Sequence, residues 1–190
     1  MGRELERKFR ADEAVLAAIR EKYGEFTPIS METVYYDTPD KSLSSRHWTL
    51  RRRYENGAAV CTLKTPLPDG SRGEWEVGCA DILDAIPELC KQGAPEELKT
   101  LTAHGLRESC GARFTRLAKL LDIGGCTVEL ALDSGVLLGG GTEIPLCEVE
   151  VEYKDGDEAT ALLFARMLAT QFHLTREPKS KVVRALELVL

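Results

Sequence analysis

Residues 147–153 read Cys147-Glu148-Val149-Glu150-Val151-Glu152-Tyr153, three glutamates separated by single valines. A period of two belongs to an extended strand, which sends successive side chains to opposite faces. The segment therefore sets three carboxylates on one face and an aliphatic row on the other. One polar face is ordinary in an antiparallel sheet; a face this uniformly ionic is not. The same alternation recurs along the chain, with Glu4, Glu6 and Lys8, then Arg51 and Arg53, Lys64, Arg72 with Glu74 and Glu76, Arg116, and Glu129 with Asp133. Antiparallel strands with ionic inner faces, and apolar outer faces covered by helices, predict an α+β fold built on a closed β-barrel with a polar lumen. By the same parity Arg7 and Arg52 point outward, and Trp48 and Trp75 pack in the outer core.

Turn and cap signals divide the rest. Asp12 is placed to cap a helix over Val15, Leu16, Ala18 and Ile19 that stops at Gly24. Thr33–Asp37 is β-rich and breaks at Thr38-Pro39-Asp40. Trp48–Tyr54 and Ala59–Thr65 flank Glu55-Asn56-Gly57, a hairpin signal. Pro66, Pro68, Asp69 and Gly70 turn the chain into Arg72–Cys79. Residues 81–110 change character: two helical stretches, interrupted by Pro87 and Pro95, predict a helical insertion at about 81–110, too short to hold a core of its own. Strands resume at Ala112–Leu121, Cys126–Leu132 and Cys147–Tyr153, with glycine turns at 124–125 and 139–141. Asp157 is placed to cap a helix over Ala161, Leu162, Phe164, Met167, Leu168 and Phe172, and the tail from Lys179 is basic, then apolar. With no internal repeat, residues 1–190 read as one domain.

Composition narrows the function. The chain has 190 residues, and 25 Lys+Arg against 31 Asp+Glu leave a formal charge of −6, a poor basis for general nucleic-acid binding, which needs an excess of cations on one surface. No apolar run is long enough for a transmembrane helix. The opening MGRELERKFR is charged where a signal peptide needs an apolar segment, so a cytoplasmic protein is expected. The six cysteines form no CxxC pair and have no histidine at zinc spacing, which leaves reduced structural thiols. His47, His104 and His173 stand alone as surface or packing residues.

The ionic faces carry the chemistry. Carboxylates gathered in one place repel one another unless a cation sits among them, and hard divalent ions such as Mg²⁺ or Mn²⁺ prefer oxygen ligands. Gathered Arg and Lys call for a polyanion, and the planar guanidinium suits phosphate. A salt-bridged solvent face would account for any single pair; a lumen holding both sets is explained by a metal and a polyphosphate together.

These residues resemble the CYTH-domain family, the triphosphate tunnel metalloenzymes. Glu4-Leu5-Glu6-Arg7-Lys8 looks like the ExExK signature that opens its members. The match continues through Tyr35-Tyr36-Asp37-Thr38, Leu50-Arg51-Arg52-Arg53, Leu63-Lys64-Thr65, Arg72-Gly73-Glu74-Trp75-Glu76, Phe114-Thr115-Arg116, Glu129 to Gly135, Cys147-Glu148-Val149-Glu150 and Ser180-Lys181, in the family's order. The resemblance implies an eight-stranded antiparallel barrel forming a tunnel, with helices packed outside. It implies Glu4, Glu6, Asp133, Glu148 and Glu150 as ligands of Mg²⁺ or Mn²⁺, and Lys8, Arg51, Arg53, Lys64, Arg116 and Lys181 as triphosphate ligands. Arg72, Glu74 and Glu76 match tunnel positions of less uniform role, with Arg72 taken as a further substrate ligand. Glu4, Glu6, Lys8, Arg53, Glu148 and Glu150 carry the catalytic expectation.

The activity this resemblance implies is metal-dependent hydrolysis of a triphosphate. Inorganic tripolyphosphate, cleaved to pyrophosphate and phosphate as in the family's bacterial inorganic triphosphatases, is the first expectation. Thiamine or nucleoside triphosphate hydrolysis and adenylyl cyclisation are alternatives that need a site for the organic end, and no inward aromatic is visible in the sequence. A polyphosphate-binding module without turnover is a further alternative, against which the intact carboxylate pairs argue. The expected partner is a small triphosphate, with no nucleic acid and no membrane; a homodimer is left open.

Overall fold

The computed structural model describes residues 2–3, 5–68 and 72–189. Ten strands form one antiparallel sheet among these residues. In chain order they are β1 (Gly2–Arg3), β2 (Glu6–Arg10), β3 (Thr27–Asp37), β4 (Thr49–Glu55), β5 (Ala58–Pro66), β6 (Arg72–Gly78), β7 (Arg107–Ile123), β8 (Cys126–Gly139), β9 (Thr142–Asp155) and β10 (Thr175–Arg176). Helices α1 (Glu13–Tyr23), α2 (Ile82–Lys91), α3 (Glu97–Thr102), α4 (Glu158–Gln171) and α5 (Lys181–Leu186) connect or follow them. The sheet order is β1-β6-β5-β4-β3-β7-β8-β9-β2-β10.

Eight of these strands have five residues or more, the number the resemblance implies. The barrel expected from the sequence closes through its N-terminal segment. The N-terminal segment serves both ends of the sheet: Gly2 and Arg3 pair with Glu74 and Gly73 of β6, whereas Glu6 to Arg10 pair with β9. The described parts of that segment thus bridge β6 and β9 and complete the ring. The strands so joined surround a tunnel-like cavity.

Local chemistry places the turns where the sequence puts them. Asn56-Gly57, Gly124-Gly125 and Gly140-Gly141 are two-residue hairpin loops with both residues at positive φ. That geometry matches the right-handed twist of the flanking strands and favours Asn and Gly. Asp12, Asp81 and Asp157 cap α1, α2 and α4 by accepting from backbone N–H groups of the first turn. The helical segment differs from expectation in two ways. α2 runs through Pro87, because one face carrying Ile82, Ala85, Ile86, Leu89 and Cys90 is buried and offsets the cost of the proline. And residues 107–110, expected in the insertion, already belong to β7, because Arg107 and Glu108 pair with Asp37 and Tyr36 at the end of β3.

Three apolar clusters hold the sheet. α2 and α3 cover β4–β6 through Leu50, Leu63, Trp75, Leu89 and Leu98. α1 and α4 cover β2, β8 and β9 through Phe9, Ile19, Leu130, Leu132, Val149, Phe164 and Leu168. The third cluster lies on the inner face and corrects the expectation of a wholly ionic lumen. Met31, Tyr35, Ala112, Phe114, Leu137 and Leu146 share the parity of Arg116 and Asp133, and α5 packs onto them through Ala185, Val182 and Leu186. One end of the tunnel interior is therefore an apolar seat for the C-terminal helix.

Gly135 on β8 makes that seat possible. A Cβ there would stand 2.3 Å from the Arg113 carbonyl oxygen and 2.5 Å from Phe114 Cα. Gly135→Ala should therefore lower the unfolding free energy by about 1–3 kcal/mol, the usual cost of overpacking. Urea denaturation of the two proteins measures it, and an unchanged midpoint would show that β7 and β8 can separate there freely.

Candidate active site

β4 shows how alternation becomes a site. Its register with β3 and β5 lines up Thr49, Arg51, Arg53 and Glu55 on the inner face. Leu50 goes to the outer core, and Arg52 lies over the rings of Tyr36 and Tyr54 at 5.9 and 5.4 Å, outside as parity requires. β5 adds Lys64, β6 Arg72, Glu74 and Glu76, β7 Arg116, β9 Glu150 and Glu152, and β2 Glu6 and Lys8. With Lys181 of α5 they line one cavity of about 320 Å³. Asp133 and Glu148 are wholly buried and do not line it; they reach it through Lys181 and Arg116. Glu4 lies outside the described residues.

The acidic side of the site is a knot of buried charge. Asp133, Glu148 and Glu150 each bring an oxygen within 4.8 Å of the others. Lys181 Nζ stands among them, 2.8 Å from Asp133 Oδ2 and 2.7 Å from Glu150 Oε1, and it donates to Glu148 as well. Arg116 grips Asp133 with its fork, Nε to Oδ1 and Nη2 to Oδ2 both at 2.8 Å, and the same Nη2 reaches Glu150. Arg184, one turn after Lys181, donates to the other oxygen of Glu148. Burial drives the Glu150 carboxyl upward, but Lys181 and Arg116 outweigh it and hold it well below the usual carboxylate range. At Glu148 burial prevails, reinforced by the charge of Glu150, and the carboxyl is raised despite Lys181 and Arg184. Burial works against the Lys181 ammonium, yet the three carboxylates raise it above its ordinary value.

Three carboxylates this close form an all-oxygen donor set that suits a hard divalent cation. The ammonium at their centre shows that the pocket demands positive charge. Glu6 stands apart from this group: its register partner on β9 is Glu152, and Lys8 is what faces Glu150. Lys8 Nζ lies 3.1 Å from Glu6 Oε1.

The basic side is less completely neutralised. Arg53 is buried, donates from Nε to Thr33 Oγ1 at 3.0 Å, and has Glu55 at 3.6 Å. Burial first, then repulsion from Arg51 and Arg116, lowers its guanidinium pKa. Arg51 has Glu74 and Glu76 only at 3.8 and 3.7 Å, and its buried Nε has no hydrogen-bond partner among the described residues. Lys64 is 3.1 Å from Glu74, and Arg72 donates to Thr49 Oγ1 at 3.1 Å. Guanidinium groups such as those of Arg51 and Arg53, partly or wholly buried and with carboxylates only at 3.6–3.8 Å, are suited to a small polyanion.

Some of the site escapes a reading by alternation. Arg184 sits three residues after Lys181 on a helix capped by Ser180, and that spacing is the signal that places both on one side of α5. Glu177, almost wholly buried, accepts from Arg10 Nε at 2.6 Å and from the Lys179 backbone N–H at 2.9 Å. No sequence pattern marks it. Trp75 is buried in the outer core as expected, but Trp48 also lines an adjoining cavity of about 630 Å³ with Tyr36 and His47. The site therefore has aromatic groups at one mouth, which the parity argument did not reveal.

Lys181→Met tests the knot. It removes the cation that Asp133, Glu148 and Glu150 share, and breaking a buried pair in this way costs about 3–5 kcal/mol. Chemical denaturation in the presence of a chelator should show a loss of that order; a stability equal to wild type would mean that Arg116 and Arg184 suffice.

Comparison with known proteins agrees with this architecture. The profile of the CYTH domain matches residues 2–186. The inorganic triphosphatase of Haemophilus influenzae is 25% identical over 162 residues, which are 84% of this chain and 46% of that protein. The chain thus spans about half the length of this curated relative. Among solved structures, a Hippeastrum protein with a dominant triphosphatase activity superposes with a TM-score of 0.67 at 17% identity, over 98% of this chain and 97% of its own. A protein of Pyrococcus horikoshii OT3 does so with a TM-score of 0.64 at 23% identity, over 97% and 98%. These likenesses speak for the fold. The match across nearly all of the sequence settles the family: the chain belongs to the CYTH domain family.

Proposed function

We propose that the protein is a metal-dependent triphosphatase whose first substrate is inorganic tripolyphosphate. One observation carries the reading: half-buried Arg51 and buried Arg53, with carboxylates only at 3.6–3.8 Å, share a single cavity with the edge of a three-carboxylate cluster. A pure anion binder gains nothing from the carboxylates, and a pure metal site gains nothing from the arginines. The triphosphatase relatives support the same class of substrate for this chain.

The residues divide the work. Arg51, Arg53, Lys64 and Arg72 would hold the phosphate oxygens along one wall, with Lys8, Arg116 and Lys181 on the other. Fixing a flexible polyanion in this way supplies positioning and charge stabilisation, the main needs of phosphoryl transfer. Asp133, Glu148 and Glu150 would hold the metal, with Glu6 and Glu4 as the expected contributions of the N-terminal segment. Bound there, Mg²⁺ or Mn²⁺ would polarise phosphoryl oxygens as a Lewis acid. The mouth walled by Trp48 and Tyr36 favours a second reading, in which an organic triphosphate places its ring system there.

Phosphate release from tripolyphosphate, ATP and thiamine triphosphate, each with Mg²⁺ and with Mn²⁺, tests both readings. Tripolyphosphate should give the highest kcat/KM, and a preference for either organic substrate would favour the second reading. Inertness toward all three would exclude catalysis of this class. Glu6→Gln and Arg53→Ala should each lose ~10²–10³ in turnover while remaining folded, the usual effect of removing one charge-stabilising group. Near-wild-type turnover in both variants would reject these assignments.

A further inference from the structure

The tunnel is electrically asymmetric, and this bears on which phosphate compounds can enter it. Thr49 and Arg72, the first residues of β4 and β6, line both the lumen and the cavity walled by Trp48, so they mark the near mouth. From there β4 and β6 run from basic to acidic. On β4 the inward residues are Arg51, Arg53, then Glu55; on β6 they are Arg72, Glu74, then Glu76. β8 and β9 bring Glu129 and Glu152, register partners in the ladder, to the same end. Exposure rises in the same direction. The side chains of Arg53 and Arg116 are 10% and 11% exposed, whereas those of Glu55 and Glu76 are 40% and 50% exposed. The far mouth is thus rimmed by Glu55, Glu76, Glu129 and Glu152; Lys154 lies 2.9 Å from Glu152, while Arg53, Arg51 and Arg116 stand 3.6, 3.7 and 3.9 Å inward of Glu55, Glu76 and Glu129. The near mouth has five cations on its walls, Arg7, Lys8, Arg72, Arg176 and Lys179, against the three carboxylates Glu6, Asp37 and Glu177, the last almost wholly buried and bonded to Arg10.

We infer that the lumen is read from one end only: the far rim of carboxylates stops a phosphate chain electrostatically, so the site accepts a free terminal phosphate and excludes the interior of a longer polyphosphate. This rests on the reading that phosphate binds in the lumen, and it adds the feature that chooses between ends and interiors. A chain entering past Arg72 meets cations as far as Arg53 and Arg116. Its next phosphate would have to pass between carboxylates on four strands, where like charges in partial exposure repel. Further phosphates, or an organic group, are left on the near side.

Binding distinguishes the two cases without any need for turnover. If the interior of a chain can thread the lumen, a long polyphosphate offers one binding register for nearly every phosphate, and its affinity per mole of chain grows with length. If only ends bind, that affinity is independent of length. Isothermal titration of the whole protein, in chelator and at low ionic strength, with tripolyphosphate and with polyphosphate of tens of units, should give equal per-chain affinities for the wild type. In Glu55→Gln/Glu129→Gln the long chain should gain ~10-fold over tripolyphosphate, since the rim's repulsion is what excluded it. Glu76→Gln/Glu152→Gln repeats the test from the other two strands. Raised salt should narrow the difference between wild type and variants, because exposed charges are screened. A length-dependent affinity in the wild type, or equal affinities in both variants, would overturn the inference. Failure of the wild type to bind tripolyphosphate would overturn the lumen reading along with it.

Discussion

Three buried carboxylates cannot share a pocket without positive charge among them, and the rest of this structure follows from how that charge is supplied. Asp133, Glu148 and Glu150 come from adjacent strands of the sheet. Their cations come from elsewhere: Arg116 from β7, and Lys181 and Arg184 from a helix at the other end of the sequence from the N-terminal strand. Charge neutralisation therefore ties the C-terminal helix to the barrel wall. The apolar inner patch around Met31, Phe114 and Leu137 gives that helix its seat, so hydrophobic burial carries α5 and electrostatics orients it.

The same balance divides the lumen. On one side three carboxylates crowd together and draw in Lys181, Arg116 and Arg184; on the other, the guanidinium groups of Arg51 and Arg53 have carboxylates only at 3.6–3.8 Å. Both sides meet in one cavity whose inner charges, Arg53, Arg116, Glu150 and Lys181, are buried, and this raises the value of each charge contact there. The membership of the CYTH domain family and the kinship with triphosphatases fit this division.

Much of this was legible in the residues alone. Alternation in Glu148–Glu152, in Arg51–Arg53 and in Arg72–Glu76 announced an ionic inner face, because a strand's parity is a local property. Asp12, Asp157 and the three Asn-Gly or Gly-Gly loops marked caps and turns for the same reason. What was not legible depends on distance in space. Parity says that Phe114 and Leu137 face inward but not that α5 will cover them. Nor does it say that Lys181, read as a phosphate ligand, stands among three carboxylates, or that Glu177 is buried against Arg10. The N-terminal closure was hidden too, since Gly2 and Glu6 pair with different partners only once β6 and β9 have come near each other.

By itself the sequence determined the strand faces, the turns, the helix caps and the two classes of charge, all set by interactions among residues a few positions apart. Only the tertiary structure decided which charges meet. Ion pairs such as Lys181 with Asp133 and Arg116 with Glu150 depend on strand register and on the seating of one short helix, and a separation of tens of residues leaves no periodic trace of them.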